Sequence, residues 1–401
     1  MNNQEILSAI LADNRSAFAG LNSLPEKDWT DLLKLTSTLG VTPLVYRQLA
    51  MRTPDSQIPV ETAVILRDAY YRCHAANAHL FNELARVLAC FQQAAIPVIV
   101  LKGAYLADSV YQDVGLRPMD DVDILVARES AIRGVEILKA AGFAPYLDFT
   151  PEVELPLVKH MPPLQKDGIV IELHWDVTSP ESSMRVDIPA LWSRAVPFEK
   201  EHIRALALSQ EDLLLHLCIH AAHHYFFEQL RSLCDIREVI TSFGDQLSWD
   251  EVIVRAKGWH ADHGVYLALR LTREILNAEV PVGVIQALCP QEIPPEVYDW
   301  ASTRIFQTDQ VLSDNFIVLM NGDTRKSRLR AFLDAMLPPP KLMSRLYGLT
   351  PGSRRVYLRY PGHWWNRMKR YGNRATRMLQ GEARINENAR IQQRLVEWLD
   401  Q

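Results

Sequence analysis

The residues whose types and spacing point to chemistry lie in one stretch, Pro97 to Val126, PVIVLKGAYLADSVYQDVGLRPMDDVDILV. Pro97 to Leu101 is an unbroken apolar run of strand length, and Lys102-Gly103 ends it abruptly. Gly103 permits a tight turn. Ala104 to Tyr111 resumes with helical spacing, so the N–H groups after Gly103 open a helix whose N-terminus attracts an anion such as phosphate. In Asp120-Asp121-Val122-Asp123-Ile124-Leu125-Val126 the period becomes two. Asp121 and Asp123 then project to one face of a strand, and Val122, Ile124 and Val126 to the other. Two like charges on one strand face tolerate full ionisation poorly unless a cation sits between them. Mg²⁺ is the natural partner, with Mn²⁺ as the alternative, because such an ion takes one or two carboxylates and leaves its remaining positions to water and substrate phosphates.

A third carboxylate is offered by GIVIELHW, Gly168 to Trp175. Alternation puts Val170, Glu172 and His174 on one face and Ile169, Ile171, Leu173 and Trp175 on the other. Glu172 is therefore a polar residue in the middle of a strand that reads as buried. If this strand lies beside the aspartate strand, three carboxylates converge on one or two metal ions, an arrangement that clamps the attacking and leaving oxygens of a phosphoryl displacement.

LKG, then RPMDDVDILV, then IELHW resembles the uncharacterised branch of the nucleotidyltransferase superfamily, the group sharing the DNA polymerase beta catalytic fold. The likeness extends to the long helix before PVIVLKG, to LLLHLCIHAAHH, to LRSLCDIREVI and to the basic C-terminal segment. It implies an α+β fold, a small mixed sheet with helices on one side, flanked in the chain by N-terminal and C-terminal helical regions. It also implies Mg²⁺-dependent transfer of a nucleoside monophosphate from ATP or another nucleoside triphosphate to an acceptor hydroxyl or similar group. Asp121 and Asp123 match the paired aspartates, Glu172 the third carboxylate, and Gly103 the glycine at the helix start. Lys102, Gly103, Ala104, Arg117, His174 and His220 are the residues expected around the nucleotide. Ala104 stands where the superfamily usually has serine or glycine, which removes a hydroxyl contact. Lys102 or Arg117 would supply a positive partner instead, and Arg117 is favoured because a planar guanidinium binds phosphate bidentately.

The elements that must position these residues are mostly helical. Four regions are expected: helices over 1–95, the catalytic core over 96–200, a helical domain over 201–340 and a basic segment over 341–401. Helical spacing runs near Gln4 to Leu11, Trp29 to Leu39, Pro43 to Met51 and Glu61 to Ala95. Glu129 to Ala141 reads as a helix, and strands are expected at about Ala144 to Phe149 and Val153 to Leu164. Lys159 and His160 fall on the second of these, where either faces the site or serves the strand alone. Ser209 caps a helix over Gln210 to Phe227 that carries His216, His220, His223 and His224. Three of these histidines share a face, which admits a zinc site, although HExxH spacing is absent. The plainer reading is that they line a cleft, with His220 pairing with Asp235.

Lys341 to Gln380 holds ten Lys or Arg and no Asp or Glu, interleaved with aromatics. It suits RNA, an anionic membrane surface, the acidic remainder of the protein or the triphosphate. Residues 383 to 400 read as an amphipathic helix with Ile391, Leu395 and Leu399 on one stripe. A net charge of −5 argues against wholesale coating of nucleic acid, and the five scattered cysteines indicate neither a disulfide framework nor a zinc knuckle. With no signal-like start and no apolar run of membrane length, a cytoplasmic protein is expected. A nucleotide-sensing adaptor on the same fold, or an RNA-binding protein built on the basic segment, are the alternatives to an enzyme.

Overall fold

A computed structural model of the chain describes residues 2–14, 21, 24–52, 58–145, 159–180, 182–226, 230–307, 340, 343, 354–363, 365 and 383–400. Among the described N-terminal residues, apolar residues at helical spacing build α1 (Asn3–Leu11), α2 (Glu26–Thr38), α3 (Thr42–Arg52) and the 34-residue α4 (Val60–Gln93). A capping box opens α1: the Asn2 side chain accepts from the Glu5 N–H, and the Glu5 carboxylate accepts from the Asn2 N–H. The second half of α4 buries Leu80, Leu84, Val87, Leu88 and Phe91 in the core beneath the sheet.

The sheet has seven strands, β1 (Ile99–Val100), β2 (Val122–Leu125), β3 (Ala144–Pro145), β4 (Leu164–Lys166), β5 (Ile169–His174), β6 (Val196–Lys200) and β7 (Ile203–Ala207). Their order is β3-β4-β5-β2-β1-β7-β6. β2 runs parallel to β5 and β1 parallel to β7, and the other pairs are antiparallel. Between the strands the chain forms a short α5 (Gly103–Tyr105), α6 (Ala131–Ala140) and α7 (Ile188–Arg194). After β7 come α8 (Gln210–His223), α9 (Leu230–Phe243), α10 (Trp249–Gly258), α11 (Asp262–Leu276), α12 (Val282–Leu288), α13 (Pro295–Arg304) and α14 (Ala383–Leu399).

Strand alternation gives the sheet two differently used faces. Val100, Val122, Ile124, Ile171 and Leu173 share a core with α4 and α6. Ile99, Leu101 and Leu125 point the other way, into a core they share with Leu213, Leu214 and Leu217 of α8 and with α9 and α11. The sheet is thus covered by helices on both faces, not on one side. The β6–β7 hairpin was not expected. Its turn holds Glu201 at φ 35°, where a glycine or asparagine would have signalled a hairpin.

Other expectations are only partly reached by the described residues. The strand expected at Ala144–Phe149 begins as β3, and 146–149 lie outside the described residues, as do 153–158 of the second strand. What is described of the second is an isolated bridge from His160 to His174 and then β4. Most of the basic 341–380 segment also lies outside the described residues. In α14, Leu395, Trp398 and Leu399 are buried, and the Trp398 indole N–H donates to the Glu292 carbonyl at 3.0 Å. No described helix is long and apolar enough to cross a membrane.

Candidate active site

The site begins where β1 stops. Lys102 adopts φ 39° and ψ −112°, a region few non-glycine residues occupy, at a cost of about 1–3 kcal/mol. It is held there from both sides: the Leu101 N–H donates to the Asp123 carbonyl and the Leu106 N–H to the Lys102 carbonyl, each at 2.9 Å. The strained backbone aims the side chain across the sheet, and Lys102 Nζ reaches Asp123 Oδ2 at 3.0 Å. Gly103 then opens α5, which passes into a π-helical turn at Leu106–Val110. Such turns are frequent beside functional sites.

The register of β2 and β5 supplies the rest. Asp123 lies directly opposite Glu172, and Leu125 opposite His174, so Asp123, Glu172 and His174 share one face. His174 Nε2 is 2.9 Å from Asp123 Oδ1 and 3.4 Å from Glu172 Oε2. Burial would raise the Asp123 carboxyl, but Lys102 and His174 outweigh it and hold the group well below the usual carboxylate range. Glu172 is lowered chiefly by its hydrogen bond from His174. His174 is raised, because its two carboxylate partners overcome the cost of burying a charged ring. Asp121 is the opposite case: burial and the negative charge of Asp123 push its carboxyl up to about 6.

One ligand atom each from Asp123, Glu172 and His174 lies within 4.8 Å of the others, which among the described residues is the grouping able to hold a metal ion. Donors in neighbouring positions around an octahedral ion, each bonded at about 2.1 Å, stand about 3.0 Å apart. The 2.9 and 3.4 Å separations fit that spacing. The expected set was Asp121, Asp123 and Glu172. Asp121 stands beside this group and interacts with it electrostatically, but is not part of it, whereas His174, expected near the nucleotide, is. Alternation already placed His174 on the Glu172 face.

Arg117 is tied down. Its Nε lies 3.0 and 3.1 Å from the two Asp235 oxygens and its Nη2 2.9 Å from Oδ2, while the Tyr111 hydroxyl donates to Oδ1 at 2.9 Å. Asp235 thus serves Arg117 and Tyr111, and the expected pairing with His220 does not form. The loop carrying Arg117 is pinned by Asn77 of α4, whose amide donates to the Arg117 carbonyl at 2.8 Å, and by Gly115, where any Cβ would lie 2.5 Å from the Tyr70 ring. The remaining guanidinium nitrogen, Nη1, lies beside the glycine turn, 2.9 Å from where a Cβ on Gly103 would sit. Ala104 is buried against the sheet core, so a hydroxyl at this position would face apolar side chains, and only its backbone N–H remains for a phosphate.

Two cations flank the carboxylates from the β5 side and the turn. Lys159, fixed through its carbonyl by the N–H groups of Trp175 and Asp176, is lowered by burial and by Lys102, and feels Asp123 and Glu172. The His160 ring sits 4.9 Å from that of His174. On α8, Ser209 caps the helix as expected, and the His220 and His224 rings lie 4.5 Å apart, tilted by 43°. The α8 histidines form no metal-binding group among the described residues.

The whole constellation is a strained lysine at a glycine turn, a buried and a half-buried carboxylate with an imidazole, and an arginine braced from a neighbouring helix. It suits an anionic ligand chelated with a divalent cation. Among curated proteins no match to the chain is found. A family model described as uncharacterised nucleotidyltransferase matches residues 25–277, from α2 through the whole sheet to the end of α11, and so more than half of the 401 residues. The chain belongs to this uncharacterised nucleotidyltransferase family.

Proposed function

We infer that the protein transfers a nucleoside monophosphate from a nucleoside triphosphate to an acceptor hydroxyl and releases pyrophosphate. The observation that carries this reading is the meeting of Lys102, Asp123, Glu172 and His174 on one face of the central strands, beside the glycine turn. Lys102, the N–H groups from Gly103 onward and Nη1 of Arg117 would hold the triphosphate. Asp123, Glu172 and His174, with Asp121 alongside, would hold Mg²⁺ or Mn²⁺. When bound, the ion supplies Lewis-acid polarisation of the phosphoryl oxygens and an anchor for the departing pyrophosphate.

The protein's own residues do the positioning. Lys102 balances charge at the phosphates, Arg117 is kept from swinging away by Asp235, and Glu172, the most open of the three metal-facing side chains at 24% exposure, orients the acceptor hydroxyl. A bond forms between that oxygen and the α-phosphorus as the bond to the bridging oxygen breaks, pyrophosphate departs, and the hydroxyl proton passes to solvent water. Positioning and preorganised charge supply most of such catalysis.

The test is calorimetric titration of ATP and the other nucleoside triphosphates, with and without Mg²⁺ or Mn²⁺, on wild type and Asp123→Asn, alongside pyrophosphate release. Metal-dependent binding that Asp123→Asn abolishes is expected. Equal binding by both proteins would refute the assignment, and binding without pyrophosphate release would favour a nucleotide-sensing protein.

A further inference from the structure

His216 has no role in the reading above, yet it is the most unusual polar group on α8. It is 6% exposed, and neither ring nitrogen has a hydrogen-bond partner. A buried donor or acceptor left unmet costs about 1–3 kcal/mol, so such a group in a folded protein calls for an explanation. Its position supplies one. Leu213, Leu214 and Leu217 of α8 belong to the same hydrophobic core as Ile99, Leu101 and Leu125 of the sheet, and Asp123 and His174 lie on the sheet face that carries those three residues. Lys102, Asp123, Lys159 and His174, all at the site, are among the groups that act on His216, as is His220 one turn along α8. His220 and His224 continue the stripe at i+4 and i+8, partly buried and then exposed, and Lys102 acts on all three histidines.

Burial and the two lysines hold His216 well below the usual histidine range, and its ring is neutral. A neutral imidazole presents one N–H and one lone pair. A phosphate or carboxylate oxygen can meet only the N–H, and an ammonium group only the lone pair. A hydroxyl can meet either, and a polyhydroxyl ligand both. We propose that His216 forms the floor of a hydroxyl-binding subsite that takes a sugar-like group, either the ribose of the nucleotide or an alcohol acceptor. The subsite rests on the transferase reading, because the lysines that border it are those assigned to the triphosphate.

The experiment compares wild type with His216→Phe, which keeps a ring and removes both hydrogen-bonding atoms. Isothermal titration with Mg²⁺ present uses inorganic tripolyphosphate, ATP, 2′-deoxy-ATP and 3′-deoxy-ATP, and pyrophosphate release from ATP is followed with and without added glycerol. If His216 holds the ribose, ATP affinity falls about three- to tenfold, the loss of one hydrogen bond. Tripolyphosphate affinity is then unchanged, and the preference for ATP over one deoxy analogue disappears. If it holds the acceptor, all four affinities are kept and the glycerol-dependent pyrophosphate release is lost. Binding and release identical to wild type overturn the proposal and leave an ordered water as the partner of the ring. Wild type that binds neither tripolyphosphate nor ATP overturns the transferase reading and the subsite with it, and a uniform loss across all ligands overturns the subsite alone. Should the phenylalanine variant fold poorly, His216→Leu carries the same comparison.

Discussion

Asp235→Asn separates the structural from the functional part of the Arg117 brace. The wild-type carboxylate takes three contacts from Arg117, at 2.9, 3.0 and 3.1 Å, and one from Tyr111 at 2.9 Å, with Asp235 1% exposed. Asparagine removes the charge and turns one of two occupied oxygens into an N–H donor facing other donors. Breaking a buried ion pair from one side costs about 3–5 kcal/mol, because the surviving charge stays buried. The urea midpoint should fall accordingly. The double variant Arg117→Met/Asp235→Leu should recover most of the loss, since a buried pair replaced by apolar residues is often close to neutral. Function should not recover with it. In both proteins Nη1 of Arg117 is no longer held at the glycine turn, and losing one charged hydrogen bond of about 1.5–3 kcal/mol weakens tripolyphosphate or ATP binding by roughly ten- to a hundredfold. A stability loss under about 1 kcal/mol in Asp235→Asn, or ATP affinity restored in the double variant, would refute the argument.

Asp121 is raised in the fold to about 6, so between its unfolded pKa near 4 and about 6 the native state binds more protons than the unfolded one. That contribution is complete at low pH and is lost as pH rises through about 6. Asp121→Asn should therefore be more stable than wild type at pH 8, by on the order of 2–3 kcal/mol, and within about 1 kcal/mol of it at pH 4, read from urea midpoints at the two pH values. Gly103→Ala should weaken ATP binding at least about tenfold and lower the melting temperature as well, because its Cβ meets Nη1 of the braced Arg117 at 2.9 Å and Met119 Sδ at 3.1 Å. Unchanged titration isotherms would show that the turn has room to spare. If His174 is a metal ligand, Mn²⁺ bound to wild type should show nitrogen modulation in pulsed electron paramagnetic resonance that His174→Ala lacks; Mn²⁺ bound through Asp123 without that signal would leave His174 as a hydrogen-bond donor alone.

The strands that carry the site were legible because period-two alternation is a local property. Once Asp121, Val122, Asp123 and Ile124 are written down, the faces follow, and the structure pairs Asp123 with Glu172 as adjacent strands require. Contacts that join distant parts of the chain were not. Nothing in the local pattern says that Asp235 belongs to Arg117, 118 residues earlier, and an arginine in a loop and an aspartate on an amphipathic helix each look like surface residues. The β6–β7 hairpin escaped because its turn lacks the usual residues, and the strain at Lys102 because positive φ is not a property of lysine. The missing hydroxyl at Ala104 was legible as a departure, and its consequence was misjudged, since only the fold shows that this side chain points into the core.

The helical half is part of the site and not only its support. The alternation that sets Asp123 and His174 on one sheet face also sets Ile99 and Leu125 there, and these two are buried only because α8, α9 and α11 cover them. The same packing brings Asp235 to Arg117 and His216 to the lysines. Hydrophobic contact fixes the distance between sheet and helices, and the charged groups inherit that distance. An apolar substitution at Leu125 or Leu213 therefore reaches the chemistry without touching any polar residue, through the spacing of two layers that must close for the arginine, the carboxylates and the imidazoles to face one ligand.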